Sequence, residues 1–118
     1  MTRHRVCGVS EVASNAMKPF AMGRGTVLLT RLPSGEIKAV GSRCPHQGAN
    51  LEHGCVTGHA YSDQPNVLLM DRPGQILRCP WHGFEFDLSS GESVADHGKL
   101  RLRRFNVEIE GDDVFIVM

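Results

Sequence analysis

Short apolar runs that alternate with polar residues, separated by turns rich in Gly and Pro, make up most of the chain. This pattern is typical of antiparallel β-structure and not of helices. Val27–Arg31 and Glu36–Val40 flank Leu32–Gly35, which predicts a hairpin. Further strands are predicted at Arg5–Val9, Val67–Met70, Gln75–Arg78, Phe84–Asp87, Leu100–Ile109 and Val114–Val117.

Three local features interrupt this pattern. Asp71–Gly74 predicts a turn between the two strands that flank it. In the long strand that ends at Ile109, the alternation slips by one residue at Arg103 and Arg104, which predicts a bulge or bend. The only predicted helical turn lies within Ser10–Ala16, with Ser10 as its N-cap. We therefore expect one all-β, mostly antiparallel domain over residues 1–118.

Length and composition narrow the function classes. The 118 residues, 41% of them hydrophobic and 22% charged, are typical of one soluble globular domain. No apolar run approaches the roughly 20 residues of a membrane helix, and no apolar signal region follows the basic N-terminus. A cytoplasmic location is therefore expected.

The net charge of +0 argues against a nucleic-acid partner. The basic segment Lys99–Arg104 is interpreted as a solvated strand face, with a docking patch for an acidic protein as the alternative.

Two short segments carry the candidate chemistry, and each contains a cysteine followed closely by a histidine. The four candidate metal ligands are Cys44, His46, Cys79 and His82. Prolines after both cysteines stiffen the loops, and glycines let the backbone turn tightly. The supporting loop residues are Pro45, Gln47, Gly48, Pro80, Trp81 and Gly83. Two sulfur and two nitrogen ligands suit a closed tetrahedral zinc site, so zinc is one candidate metal for this ligand set.

The segments Cys-Pro-His and Cys-Pro-Trp-His-Gly together resemble the signature of Rieske iron–sulfur proteins, in which two cysteines bind one iron and two histidines the other. The resemblance extends over residues 44–51 and 79–87 and, with the flanking hairpins, covers most of the chain. It implies a Rieske-like fold of small antiparallel sheets, with a cluster-binding subdomain of two loops at about residues 42–90. It also implies one [2Fe–2S] cluster bound by Cys44, His46, Cys79 and His82.

The resemblance implies a soluble ferredoxin that carries single electrons and is not an enzyme. Its expected partners are a flavin-dependent ferredoxin reductase and a terminal oxygenase or other oxidoreductase, with no nucleic acid and no membrane. A small or accessory subunit of a larger oxidoreductase, similar to nitrite reductase small subunits, is the alternative. An oxygenase acting alone is not expected, because the 36 residues after His82 are too few for a catalytic domain with a second iron site.

Departures from high-potential Rieske proteins predict a low reduction potential. Those relatives carry a disulfide between the two loops and two hydroxyl groups that donate hydrogen bonds to cluster sulfur. This chain has Ala49 and Trp81 at the disulfide positions, and Phe84 and Phe86 at the hydroxyl positions. Because hydrogen bonds to sulfur stabilise the added electron, the resemblance implies a potential near the bottom of the Rieske range of roughly −150 to +300 mV.

Thirty-two residues separate His46 from Cys79, more than in most members of that family. The excess lies around Cys55–Gly74, within residues 52–74. We interpret it as a surface insertion that leaves cluster binding intact, because the entropy cost of closing a loop grows slowly with its length. The remaining Cys and His residues are not assigned as ligands. Cys7 is interpreted as core, Cys55 as a small buried residue or spare thiol, and His53 and His59 as surface or hydrogen-bonded histidines.

Overall fold

The structure, a computed structural model, describes residues 2–22, 25–45, 48–80, 83–94 and 99–117. Nine strands lie within these ranges. They are β1 (Arg3–Gly8), β2 (Lys18–Met22), β3 (Gly25–Arg31), β4 (Ile37–Gly41), β5 (Cys55–Gln64), β6 (Val67–Arg78), β7 (Glu85–Asp87), β8 (Arg104–Glu110) and β9 (Asp113–Val117). They form a six-stranded sheet with the order β1-β9-β8-β4-β3-β2 and a three-stranded sheet with the order β5-β6-β7. Every strand pair within the sheets is antiparallel. The predicted fold class is confirmed.

Strands β3 and β4 are buried on both faces, because alternate side chains of a strand point into two different hydrophobic clusters. The loop-side cluster comprises Leu28, Leu32, Val40, Cys44, Ala49, Leu51, Leu77, Cys79, Phe86, Leu88 and Leu102. The sheet cluster comprises Cys7, Val12, Val27, Leu29, Ile37, Ala39, Val114 and Ile116. The second set includes residues of β1 and β9 as well as of β3 and β4, so the larger sheet packs against itself. Cys7 lies in the core as predicted.

The predicted separation of Val67–Met70 from Gln75–Arg78 is wrong, because both belong to the single strand β6. Strand β5, which pairs with β6, was not predicted from the sequence. Residues 52–74, interpreted above as an insertion, lie mainly in the long β5–β6 hairpin, called the inserted hairpin below. Its turn lies at Pro65 and Asn66.

A bulge explains why the turn-like residues Asp71–Gly74 do not reverse the chain. Gly58 alone faces residues 72–75, between the cross-strand pairs Thr57–Ile76 and His59–Asp71. Arg72 and Gly74 have positive φ angles of 48° and 74°. The extra residues therefore loop out locally while pairing resumes on both sides.

The predicted helical turn at Ser10–Ala16 is wrong in extent and in its cap. Only Val9–Glu11 forms one 3₁₀ turn, and the carboxylate of Glu11 accepts a hydrogen bond of 2.6 Å from the N–H of Gly8. The backbone is extended again at Val12, which ends the turn. A second 3₁₀ turn lies at Leu51–His53. None of the helical segments in the described ranges has the length and apolar character needed to cross a membrane.

The strand predicted from Leu100 begins only at Arg104. Leu102 is buried in the loop-side cluster, whereas Phe105 packs against the sheet cluster. The slip in alternation therefore marks the bend where the chain passes from one cluster to the other. Most of the basic segment Lys99–Arg104 precedes β8, so the strand part of its interpretation is wrong. Its four basic residues are exposed, as predicted for a solvated segment. In this segment Arg101 pairs with a carboxylate oxygen of Glu92 at 2.8 Å.

Candidate metal centre

Two loops with the same backbone closure hold the candidate cysteines. The first loop begins at Cys44, after β4, and the second loop begins at Cys79 and connects β6 to β7. In each, the cysteine N–H donates a hydrogen bond to the carbonyl oxygen five residues later. The distances are 2.9 Å from Cys44 to Ala49 and 2.8 Å from Cys79 to Phe84. The equivalent closure means that the two halves of the candidate site are held in similar turns.

A glycine in the left-handed region occupies the fifth position of both loops. The φ angle is +74° at Gly48 and +65° at Gly83, a conformation that residues with a Cβ adopt only with strain. The N–H of Gly48 also donates to the carbonyl oxygen of Cys44 at 2.7 Å. Pro45 and Pro80, which follow the two cysteines, fix φ and offer no competing N–H donor. The sequence therefore specifies both turns locally.

The fold brings the two candidate cysteines into one buried environment. Cys44 is 2% exposed and Cys79 is 1% exposed, and both belong to the loop-side cluster. All four cysteines lie in the described ranges, and none forms a disulfide. Two buried thiols in one cluster without a disulfide between them fit a metal centre that requires two thiolate ligands.

The other half of the predicted ligand set lies outside the described residues. This applies to His46 and His82 and to the supporting residues Gln47 and Trp81. In the sequence, His46 lies between Cys44 and Ala49, and His82 lies between Cys79 and Phe84. Each histidine thus belongs to one of the two closed loops. Their role as ligands stays a prediction.

The rival candidates do not form a second centre within the described part of the chain. Cys55 is exposed, so its interpretation as a buried residue is wrong and that as a spare thiol fits. His53 is exposed, and His59 is hydrogen-bonded, as predicted. No group of three or more Cys, His, Asp or Glu side chains in the described ranges is arranged to hold a metal ion.

Apolar side chains surround the two buried cysteines. Ala49 is 1% exposed and Phe86 is fully buried, and both belong to the same cluster as Cys44 and Cys79. The rings of Phe84 and Phe86 are tilted by 52°, with centroids 5.2 Å apart. This packing keeps water from the thiols on that side and offers no hydroxyl donor from these three side chains.

Charged residues that sequence reasoning missed flank the second loop. Arg78 and Glu85 are a cross-strand pair of β6 and β7, and Arg78 Nη2 lies 3.0 Å from Glu85 Oε2. The other carboxylate oxygen lies 2.9 Å from His59 Nδ1. Burial raises the pKa of Glu85, but hydrogen bonds from His59 and Arg78 outweigh it and hold the pKa below its usual value. In the sequence, the only indication of these contacts is a basic and an acidic residue, Arg78 and Glu85, directly outside the loop.

A family model of the Rieske [2Fe-2S] domain matches residues 2–106. The chain belongs to the Rieske [2Fe–2S] domain family. This membership confirms the resemblance seen in the two Cys/His segments. It also confirms the predicted cofactor, one Rieske-type [2Fe–2S] cluster.

Relatives of this Rieske chain differ in length. This chain is 35% identical over 111 residues to human Apoptosis-inducing factor 3. The match covers 94% of this chain but only 16% of the human protein. It is 25% identical over 112 residues to the ferredoxin component of the p-cumate 2,3-dioxygenase system of Pseudomonas putida, covering 94% of this chain and 81% of that protein. The solved ferredoxin of Sphingomonas yanoikuyae B1 has the same fold, with a TM-score of 0.75, 23% identity and 99% coverage of both chains.

Proposed function

We propose that this protein is a Rieske ferredoxin that carries single electrons and catalyses no reaction of its own. The observation that carries the proposal is the burial of Cys44 and Cys79 in one hydrophobic cluster, each at the start of a loop that also contains a histidine. The relative from the p-cumate 2,3-dioxygenase system is itself a ferredoxin component, and the match covers 81% of its length. Both facts support a carrier.

The proposed ligands are Cys44 and Cys79 on one iron and His46 and His82 on the other, within a subdomain of about residues 42–90. When bound, the [2Fe–2S] cluster accepts and releases one electron. The chain supplies a buried pair of thiolates, which the apolar packing shields from water. Neutral imidazoles in place of two further thiolates make the site less negative, which favours reduction relative to four cysteines.

The proposed partners are a flavin-dependent ferredoxin reductase, which supplies the electron, and a terminal oxygenase or other oxidoreductase, which receives it. The test is reduction of the purified protein by NADH and the flavin-dependent reductase of a dioxygenase system. The visible absorption should bleach with uptake of one electron per molecule. Cys44→Ser, treated identically, should take up none. Uptake of no electron by a coloured protein, or turnover of an aromatic substrate without an added oxygenase, would contradict the carrier.

One observation favours a second candidate, an accessory Rieske subunit of a larger oxidoreductase. In the human relative, the matching region is only 16% of the protein, so there the domain is part of a larger chain. The two candidates differ in their behaviour in a cell extract. On size exclusion, a carrier of 13.0 kDa should elute by itself, whereas a subunit should co-elute with its partner at a fixed ratio.

A further inference from the structure

The carboxylate of Glu85 is shared by two side chains that come from different strands of the smaller sheet. Arg78 is the last residue of β6 and directly precedes Cys79, while Glu85 is the first residue of β7. His59 belongs to β5, in the inserted hairpin. The contacts are 3.0 Å from Arg78 Nη2 to Glu85 Oε2 and 2.9 Å from His59 Nδ1 to Glu85 Oε1. One carboxylate thus joins the two ends of the second loop to each other and to strand β5.

The hydrogen bonds to Glu85 matter for stability because its carboxylate is largely buried. The side chain of Glu85 is 16% exposed and that of His59 is 28% exposed. A carboxylate so far removed from water is costly unless donors satisfy its oxygens, and here each oxygen has one. Loss of either donor would leave a poorly solvated oxygen beside the loop. The contacts therefore hold the three strands at fixed positions.

Each donor also has a neighbour on its own side. The ring of Tyr61 stacks on that of His59 at 6.2 Å between centroids, with only 9° between the planes. The Cδ atom of Arg78 lies 3.7 Å from the point that a Cβ of Gly83 would occupy, so the stem of Arg78 runs beside the second loop. The imidazole and the guanidinium each lie against a different oxygen of Glu85.

We propose that His59 is a positioning residue for the cluster, acting with Glu85 and Arg78 as a brace on the second ligand loop. This inference rests on the proposed function, since it takes Cys79 and His82 as ligands. Arg78 and Glu85 clamp the two ends of the loop, and His59 holds Glu85 in place. The inserted hairpin is then part of the architecture of the site, although it supplies no ligand.

Substitutions at position 59 separate the hydrogen bond from simple packing. His59→Phe keeps an aromatic ring against Tyr61 but cannot donate to Glu85. His59→Asn offers an amide N–H close to the position of Nδ1, so it should rescue the bond. Asp113→Asn is a control for the loss of an ion pair elsewhere, because it removes the charge from the exposed pair of Arg5 and Asp113 in the larger sheet, at 2.9 Å.

The experiment measures cluster loss and reduction potential on the coloured holoprotein. With an iron chelator, His59→Phe should lose its visible absorption about fivefold faster than the wild type, the factor that corresponds to about 1 kcal/mol. His59→Asn and Asp113→Asn should behave as the wild type does. The potential of His59→Phe should be lower, because the negative charge of Glu85 is less compensated and opposes the added electron. A role in packing alone would change the rate of loss but not the potential.

A double substitution tests whether His59 acts through Glu85. In a Glu85→Met background, which has no acceptor, His59→Phe should cause no further acceleration of cluster loss. Equal effects of His59→Phe in both backgrounds would overturn the brace, as would failure of His59→Asn to rescue. Either result in a coloured protein leaves the carrier function standing. A colourless wild type would instead overturn the proposed function and the brace together.

Discussion

Gly54 lies directly against the backbone carbonyl group of Arg78, so the segment after the first ligand loop touches the residue that precedes Cys79. A Cβ at position 54 would overlap this carbonyl oxygen, and the carbonyl oxygen of Leu51 lies 3.2 Å from the same point. The φ angle of Gly54 is −81°, which any residue can adopt. The close approach of the two segments, and not backbone conformation, therefore requires glycine here.

Gly54→Ala should destabilise the protein by on the order of 2 kcal/mol, because backbone must move to admit the methyl group. The visible absorption should disappear at a lower temperature than in the wild type. Gly25→Ala is the control, since the nearest atom to a Cβ there is 3.9 Å away. Equal thermal midpoints for the two variants, measured by circular dichroism and by absorbance, would show that the segments are not in contact.

Substitution of the proposed ligands should remove colour and iron together. Cys44→Ser and His82→Ala each take away one ligand, so the purified variants should lack both visible absorption and stoichiometric iron. Cys55→Ser should retain both, because its thiol is exposed and lies outside the loop-side cluster. Iron analysis and absorbance spectra check this prediction. Bleaching of Cys55→Ser would mean that the ligand assignment is wrong.

The reduction potential should lie near the lower end of the Rieske range, and Phe86→Tyr should raise it. Phe86 is fully buried in the cluster that contains both cysteines, and the resemblance to high-potential Rieske proteins implies that it stands at the position of a hydroxyl donor. One added hydrogen bond of about 1 kcal/mol corresponds to a rise of about 40 mV for a one-electron couple. Redox titration followed by EPR or circular dichroism measures the shift.

Phe105→Tyr is the control for that prediction, because Phe105 packs against the sheet cluster instead. It should leave the midpoint unchanged. A wild-type midpoint above about 0 mV, or equal shifts in the two tyrosine variants, would contradict this explanation of the potential.

Asp87 should contribute stability that is lost in acid. Its carboxylate accepts bonds from the N–H of Ser89 at 2.8 Å and from the hydroxyl of Ser89 at 2.5 Å, and Arg72 Nη1 lies at 3.2 Å. Burial raises the pKa of Asp87, but the bonds from Ser89 and then Arg72 prevail and keep it below its usual value. Such a carboxyl stabilises the fold at pH values above its pKa in the unfolded chain, which is about 3.9. This stabilisation is lost as the pH falls through the lower pKa that the carboxyl has in the folded protein.

Asp87→Asn should therefore cost roughly 1–2 kcal/mol at pH 6, and this difference from the wild type should shrink below about pH 4. Thermal unfolding at a series of pH values, with both proteins treated identically, gives the comparison. A difference that stays constant down to pH 3 would show that the charge on Asp87 contributes nothing to folding.

Local pattern was sufficient to predict some elements of the fold. The β3–β4 hairpin was predicted correctly because two short apolar runs flank an unambiguous turn, which Gly35 closes with a φ angle of +92°. Strand β5 was missed because Gly58 and the turn residues after Tyr61 break its pattern. The residues Pro73 and Gly74 resemble a chain reversal, and only pairing with β5 on both sides reveals a bulge.

In the candidate site too, some residues could be predicted from local sequence and others could not. Cys44 and Cys79 could be identified from the short spacing to a histidine, which is a local property of the sequence. The contact between His59 and Glu85 joins residues 26 positions apart and depends on the pairing of both β5 and β7 with β6, including the bulge in the β5–β6 pair. No local pattern encodes that register. Interactions of this kind can be recognised only once the fold is known.

The EPR spectrum of the reduced protein tests the central claim most directly, because it depends on the ligands of the iron that carries the added electron. Mixed cysteine and histidine ligation predicts a spectrum with a lower average g value than that of a cluster bound by four cysteines. A spectrum of the four-cysteine type, or a colourless protein that contains zinc and gives no signal, would contradict the account.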